Sequence, residues 1–82
     1  MFEKKKQKGN LIKERRDQLL ISQQKLAEKV NNISIEKYGT KRNIHWKTIR
    51  SIENDKYVPS LKLGMLIAEA LDTHVEKIFI MD

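Results

Sequence analysis

Ser22-Gln23-Gln24-Lys25-Leu26-Ala27-Glu28 is the stretch on which the fold turns. The Ser22 hydroxyl is suited to satisfy an orphan N–H of a first helical turn, which predicts an N-cap and a helix over residues 23–30. Leu26 and Val30 stand four apart and share a face, and Ala27 beside them is small enough to let another backbone come close.

Upstream, Asn10 is a candidate N-cap for a helix reaching to about residue 20, with Leu11, Ile12, Arg15, Arg16 and Leu19 on its inner side by three- and four-residue spacing. Downstream, helical periodicity lapses over residues 31–42. Asn31, Asn32, Ser34, Gly39 and Thr40 are turn-formers there, while Ile33, Ile35 and Tyr38 alternate weakly, which predicts an inserted extended loop or small hairpin.

Helical order resumes near Ile44 or His45. Ile49 and Ile52 then face inward, Lys47, Arg50 and Ser51 face outward, and Asn54-Asp55 ends the element. Pro59 disfavours helix at Val58, and Ser60 caps a fourth, strongly apolar helix through Leu63, Leu66, Ile67, Ala70 and Leu71. Thr73 or His74 opens a short fifth turn with Val75 and Ile78. Phe79-Ile80-Met81 is apolar enough to need packing or pairing in a short C-terminal strand. The expectation is an all-α domain of five helices over residues 10–82, with an insertion at 31–42, preceded by a basic arm at 1–9.

Eighty-two residues suffice for one small domain, for which oligomerisation would be a help. The chain has no Cys, which removes a disulfide framework, a thiolate nucleophile and any Cys-based zinc site. His45 and His74 are its two histidines and make no metal centre by themselves, so no metal or cofactor is expected. With no phosphate-binding glycine loop and no nucleophile–base pattern, no enzymatic activity is expected either.

The net charge of +6 is uneven: residues 1–16 carry +5, residues 17–40 carry 0, residues 41–62 carry +4 and residues 63–82 carry −3. The basic places are the arm, with Lys4, Lys5, Lys6 and Lys8, and the third helix with its flanks, with Lys41, Arg42, Lys47, Arg50 and Lys56. This pattern suits a polyanion such as nucleic acid, or simply solubility. No apolar run approaches the roughly 20 residues of a membrane span. The lysine cluster is followed by Gln7, Lys8, Gly9 and Asn10 rather than an apolar segment, so no secretion signal is read and a cytoplasmic location is expected.

Taken in order, Arg16, Ser22-Gln23, Leu26-Ala27, Ile49, Ile52-Glu53-Asn54, Pro59-Ser60-Leu61 and Ile67-Ala68-Glu69-Ala70-Leu71 resemble the lambda-repressor-like, Cro-type helix-turn-helix family, also called the xenobiotic-response-element family of small bacterial and phage regulators. The match runs roughly from residue 11 to 79. It implies a five-helix fold in which helices 2 and 3 form the reader of double-stranded DNA. Two positions depart from the family pattern. Leu20 stands where Gly or another turn-former is common, and residues 31–42 add about twelve residues where the family has a short turn.

The resemblance implies base contacts by Lys47 and Ser51, with Thr48 in the same face and Arg50 more to the side on phosphate. Trp46 matches a base-contact position, although its indole equally suits packing under Ile33, Ile35 or Tyr38, the reading favoured here. His45 occupies the helix-cap position, facing a phosphate or a backbone amide. Gln23 matches a phosphate-binding position at a helix start. Arg16 and Glu53 correspond to a structural ion pair between helices 1 and 3. Lys37, Lys41 and Arg42 either form a wing along the DNA backbone or sit in a tolerated surface loop.

Regulators of this type usually act as homodimers on inverted repeats, with recognition helices about 34 Å apart. Val75, Ile78, Phe79 and Ile80 are the expected interface, or else they complete the monomer core. The expected function is transcriptional repression. The alternatives are a DNA-binding antitoxin, a restriction-modification controller, or a protein-interaction adaptor that keeps the fold without binding DNA.

Overall fold

Ser22 and Ser60 each open a helix through their hydroxyls: Ser22 Oγ accepts the Lys25 N–H at 3.0 Å and Ser60 Oγ accepts the Leu63 N–H at 3.2 Å. In the computed structural model, which describes residues 9–80, the elements run α1 (Ile12–Leu19), α2 (Gln23–Tyr38), α3 (Trp46–Glu53), α4 (Leu61–Ala70) and α5 (Val75–Ile78). The all-α, five-helix expectation agrees with this order. Among the described residues the one β pairing is an isolated antiparallel bridge between Asn10 and Phe79. The lysines of the basic arm and Met81 lie outside the described residues.

The expected loop or hairpin between helices 2 and 3 is corrected at residues 31–38, which extend α2 to 16 residues, about 24 Å of helix at 1.5 Å per residue. Its buried stripe is Leu26, Ala27, Val30 and Ser34. Ser34 continues the four-residue repeat as a polar residue. Its hydroxyl is nevertheless satisfied, donating to the Thr40 carbonyl at 2.6 Å. Gly39 ends α2 at φ 68°, a left-handed conformation that glycine adopts without a Cβ clash. There the Gly39 N–H bonds the Ile35 carbonyl at 3.1 Å, an αL-type cap, and the Thr40 N–H reaches one residue further back to the Ser34 carbonyl at 3.0 Å. The true connection to α3 is therefore residues 39–45.

Two details at α1 also differ from the sequence reading. The N-cap position is Leu11, not Asn10. Asn10 is instead buried, with its Nδ2 donating to the Ile52 carbonyl at 2.7 Å and its Oδ1 accepting the Ile12 N–H at 3.2 Å. Leu11 is pulled off the inner face because its N–H donates to the Ile78 carbonyl at 2.7 Å, in the pairing of the two chain ends. Ile12 and Arg16 are the buried residues of α1. At its other end Leu20 takes a left-handed conformation, φ 59° and ψ 41°, with its side chain 91% exposed.

The core gathers Ile12 from α1, Leu26 and Val30 from α2, Ile49 and Ile52 from α3, Ile67 and Leu71 at α4, and Ile78 from α5. Full burial of such side chains stabilises by about 1.5–3 kcal/mol each before the entropy of ordering is counted. Helix α4 is the central strut, packing against both α2 and α5. Gly64 lets the Phe79 ring lie on the helix, since a Cβ there would stand 3.3 Å from Phe79 Cε2. Among the described residues no helix is long and apolar enough to cross a membrane.

Candidate nucleic-acid interface

Helix α3 is amphipathic by position. At 100° per residue, the buried Ile49, Ile52 and Glu53 define one side, while Lys47 and Ser51 fall nearly opposite Ile49 and Arg50 stands between. Lys47 and Arg50 are exposed, and Thr48 and Ser51 are half-buried. Lys47, Thr48 and Ser51 line an open groove together with Arg42, Asn43, His45 and Tyr57. Lys41 is exposed in the connection leading to it. Among the described residues Lys41, Arg42, Lys47, Arg50 and Lys56 form no ion pair with a carboxylate, so the positive charge of α3 and its flanks is not neutralised by ion pairing there.

The start of α3 is held from two sides. His45 Nδ1 accepts the Lys47 N–H at 3.2 Å, a side-chain N-cap that requires a lone pair on Nδ1 and so places the proton of the neutral ring on Nε2. Upstream, Asn31 on α2 clamps the backbone of Ile44: Nδ2 donates to the carbonyl at 3.1 Å and Oδ1 accepts the N–H at 3.0 Å. Trp46 is half-buried against the core, and the Lys47 ammonium lies 5.9 Å from its ring centroid.

Arg16 and Glu53 tie α1 to α3 from behind. Arg16 Nε meets Glu53 Oε2 at 2.7 Å, Nη2 meets Oε1 at 3.2 Å, and Nη1 donates to the Ile21 carbonyl at 3.0 Å. Hydrogen bonding to Glu53 raises the Arg16 pKa against the opposing effect of burial, so the guanidinium stays charged. Gln23 joins the same carboxylate, its Nε2 donating to Glu53 Oε1 at 3.0 Å. Only the amide nitrogen can donate there, and one further N–H of Gln23 is left for another acceptor.

Lys37 does not join the basic face. Its ammonium is 2.8 Å from Glu69 Oε2 on α4, and the Tyr38 hydroxyl donates to Glu69 Oε1 at 2.9 Å. These bonds pin the end of α2 to α4. Ile78 is 2% exposed and belongs to the core of its own chain, the second of the two roles expected for it. Val75 and Phe79 are half-buried and Ile80 is exposed. Val58, 86% exposed, and Leu61, 73% exposed, line the same apolar groove as Val75, Phe79 and Ile80.

Sequence reading missed Asn31, Asn43 and Tyr57. Asn31 was taken for a turn-former, and its spacing of four from Ala27 gives no hint that its amide reaches residue 44. Tyr57 reaches the groove because the chain reverses at Asp55, which holds φ 59° while its carboxylate accepts the Gly9 N–H at 3.1 Å.

A helical pair joined by a short connection, with the second helix presenting a basic, unpaired outer face, defines a helix-turn-helix domain. No protein-family model matches the chain. It is 41% identical over 73 residues to an uncharacterized HTH-type transcriptional regulator of Methanothermobacter thermautotrophicus, with 88% of each chain covered. The chain belongs to the HTH-type transcriptional regulators.

Proposed function

We propose that the protein is a Cro-type, lambda-repressor-like regulator that binds double-stranded DNA sequence-specifically, with α3 in the major groove. Lys47 and Ser51 meet base edges, where an ammonium suits guanine O6 and N7 and a hydroxyl suits either donor or acceptor. Thr48 lies beside them. Arg50, Lys41 and Arg42 meet phosphates along the strands, and the spare N–H of Gln23 at the start of α2 takes another. The single observation that carries this reading is the outward placement of Lys47 and Ser51 opposite Ile49, in a groove that Arg42 also lines.

His45 serves as the α3 cap with Nε2–H facing outward as a phosphate donor, and Trp46 contributes packing first. The protein acts in the cytoplasm, and the reading includes no catalytic step and no cofactor. Repression follows from occupying a promoter. A homodimer on an inverted repeat joins two such readers through Val75, Phe79 and Ile80, extended by Val58 and Leu61 across their shared groove.

Affinity for a mixed-sequence duplex, measured across salt concentrations, tests the electrostatic half of this reading. Each phosphate contact contributes about 0.9 to the log–log slope. Arg50→Gln and Arg42→Gln should each flatten the slope by about one phosphate's share. A slope near zero for the unaltered protein would refute DNA binding by this face.

A further inference from the structure

A second concavity lies behind the reader, between the end of α2, the connection to α3 and the outer face of α4. Its volume is about 390 Å³, within the roughly 300–1,000 Å³ of small-molecule sites. Leu66 forms a buried floor, and Met65 and the Tyr38 ring form apolar walls. Arg42 and Lys62 stand at the wall without a carboxylate partner among the described residues, and no acidic residue lines the cleft. Glu69, the next acid on that face of α4, is already held by Lys37 and Tyr38.

We propose that this cleft binds a small organic anion with an apolar, aromatic body, an aryl carboxylate in chemical class. The guanidinium of Arg42 offers a planar pair of donors matched to a carboxylate, and the Lys62 ammonium adds a second cation. Leu66, Met65 and Tyr38 cover the hydrocarbon part, with the Met65 sulfur suited to an aromatic edge. A neutral apolar molecule would leave both cations uncompensated, and a bare inorganic anion would leave the apolar floor uncovered. Arg42 also lines the groove beside α3, so an anion bound here and a phosphate bound there draw on the same side chain.

The test is a titration of the full, isotopically labelled chain with 2-naphthoate, followed by amide chemical shifts, with 2-naphthalenemethanol as the neutral comparator. One-site saturation is expected, centred on Ser34, Thr40 and Leu66, with the acid binding about tenfold more tightly than the alcohol. Lys62→Gln, an exposed change that leaves the core intact, should weaken the acid by about tenfold while leaving the alcohol unaffected. Absence of saturation, equal affinity for acid and alcohol, or shifts centred on Val58 and Phe79 would overturn the proposal. The assay contains no DNA, so its outcome is separate from that of the DNA-binding reading.

Discussion

The Asn31 side-chain amide and the Ile44 backbone bond each other in both directions, at 3.1 and 3.0 Å, so that a residue in the middle of α2 fixes where the chain enters α3. The contact imitates one rung of a sheet across the helix-turn-helix. Asn31→Ala leaves both backbone groups of Ile44 without these partners in a half-buried place. Urea denaturation should show a loss of about 1–3 kcal/mol, and hydrogen exchange at the Ile44 amide should rise more than at the Ile67 amide. Unchanged exchange at Ile44 would show that the clamp does not hold the entry to α3.

Leu20 adopts φ 59° with its side chain 91% exposed, so it bears the left-handed cost without a packing return. That conformation costs a residue with a Cβ roughly 1–2 kcal/mol, and glycine returns part of the relief through its freer unfolded chain. Leu20→Gly should therefore raise stability by about 0.5–1 kcal/mol, measured as a higher urea midpoint at constant slope. A lower midpoint would mean that Leu20 has an apolar partner.

Glu53 is shared by Arg16 and Gln23 in a buried cluster that joins three helices. Removing one member of a buried pair leaves the other charge uncompensated, so Arg16→Met should cost about 3–5 kcal/mol. Arg16→Met combined with Glu53→Leu should cost less than the sum of the single changes in a double-mutant cycle. Additive losses would indicate that the two charges do not interact.

Lys37, and secondarily Tyr38, hydrogen-bond Glu69 and hold its carboxyl below its ordinary value of 4.5. A carboxylate with a depressed folded pKa stabilises fully above its ordinary value and loses that contribution as pH falls through the lowered one. As pH falls from 4.5 through the lowered value, the end of α2 should loosen, seen as a loss of exchange protection at the Gly39 and Thr40 amides relative to their intrinsic rates at the same pH. Glu69→Gln should show the reduced protection already at neutral pH, with little further loss in acid. An acid dependence identical to that of the unaltered protein would remove the tie from this account.

Much of this architecture was legible in residue types alone. Ser22, Ser60 and His45 signal their helix starts through a side-chain acceptor, and Ile49 with Ile52 states which side of α3 is inward. The extension of α2 was hidden because its continuing stripe passes through a serine: Ser34 reads as a turn residue until Thr40 supplies its acceptor. The place of Ile78 was left open for a related reason, since an apolar residue of the last helical turn looks equally suited to a partner or to its own core. The outward face of α3 was legible through Lys47, Arg50 and Ser51. Its supports were not, because Asn31–Ile44 and Lys37–Glu69 depend on how the elements pack.

Selection of bound sequences from random double-stranded DNA, carried out with the unaltered protein, with Lys47→Ala and with Ser51→Ala, tests the reading of α3 most directly. The unaltered protein should enrich a defined inverted repeat, and each variant should relax preference at particular base positions while keeping the rest, with a mismatch penalty of about 1–3 kcal/mol lost at those positions. Enrichment of the same sequence by all three proteins, with affinity merely reduced across every site, would contradict base reading by this face.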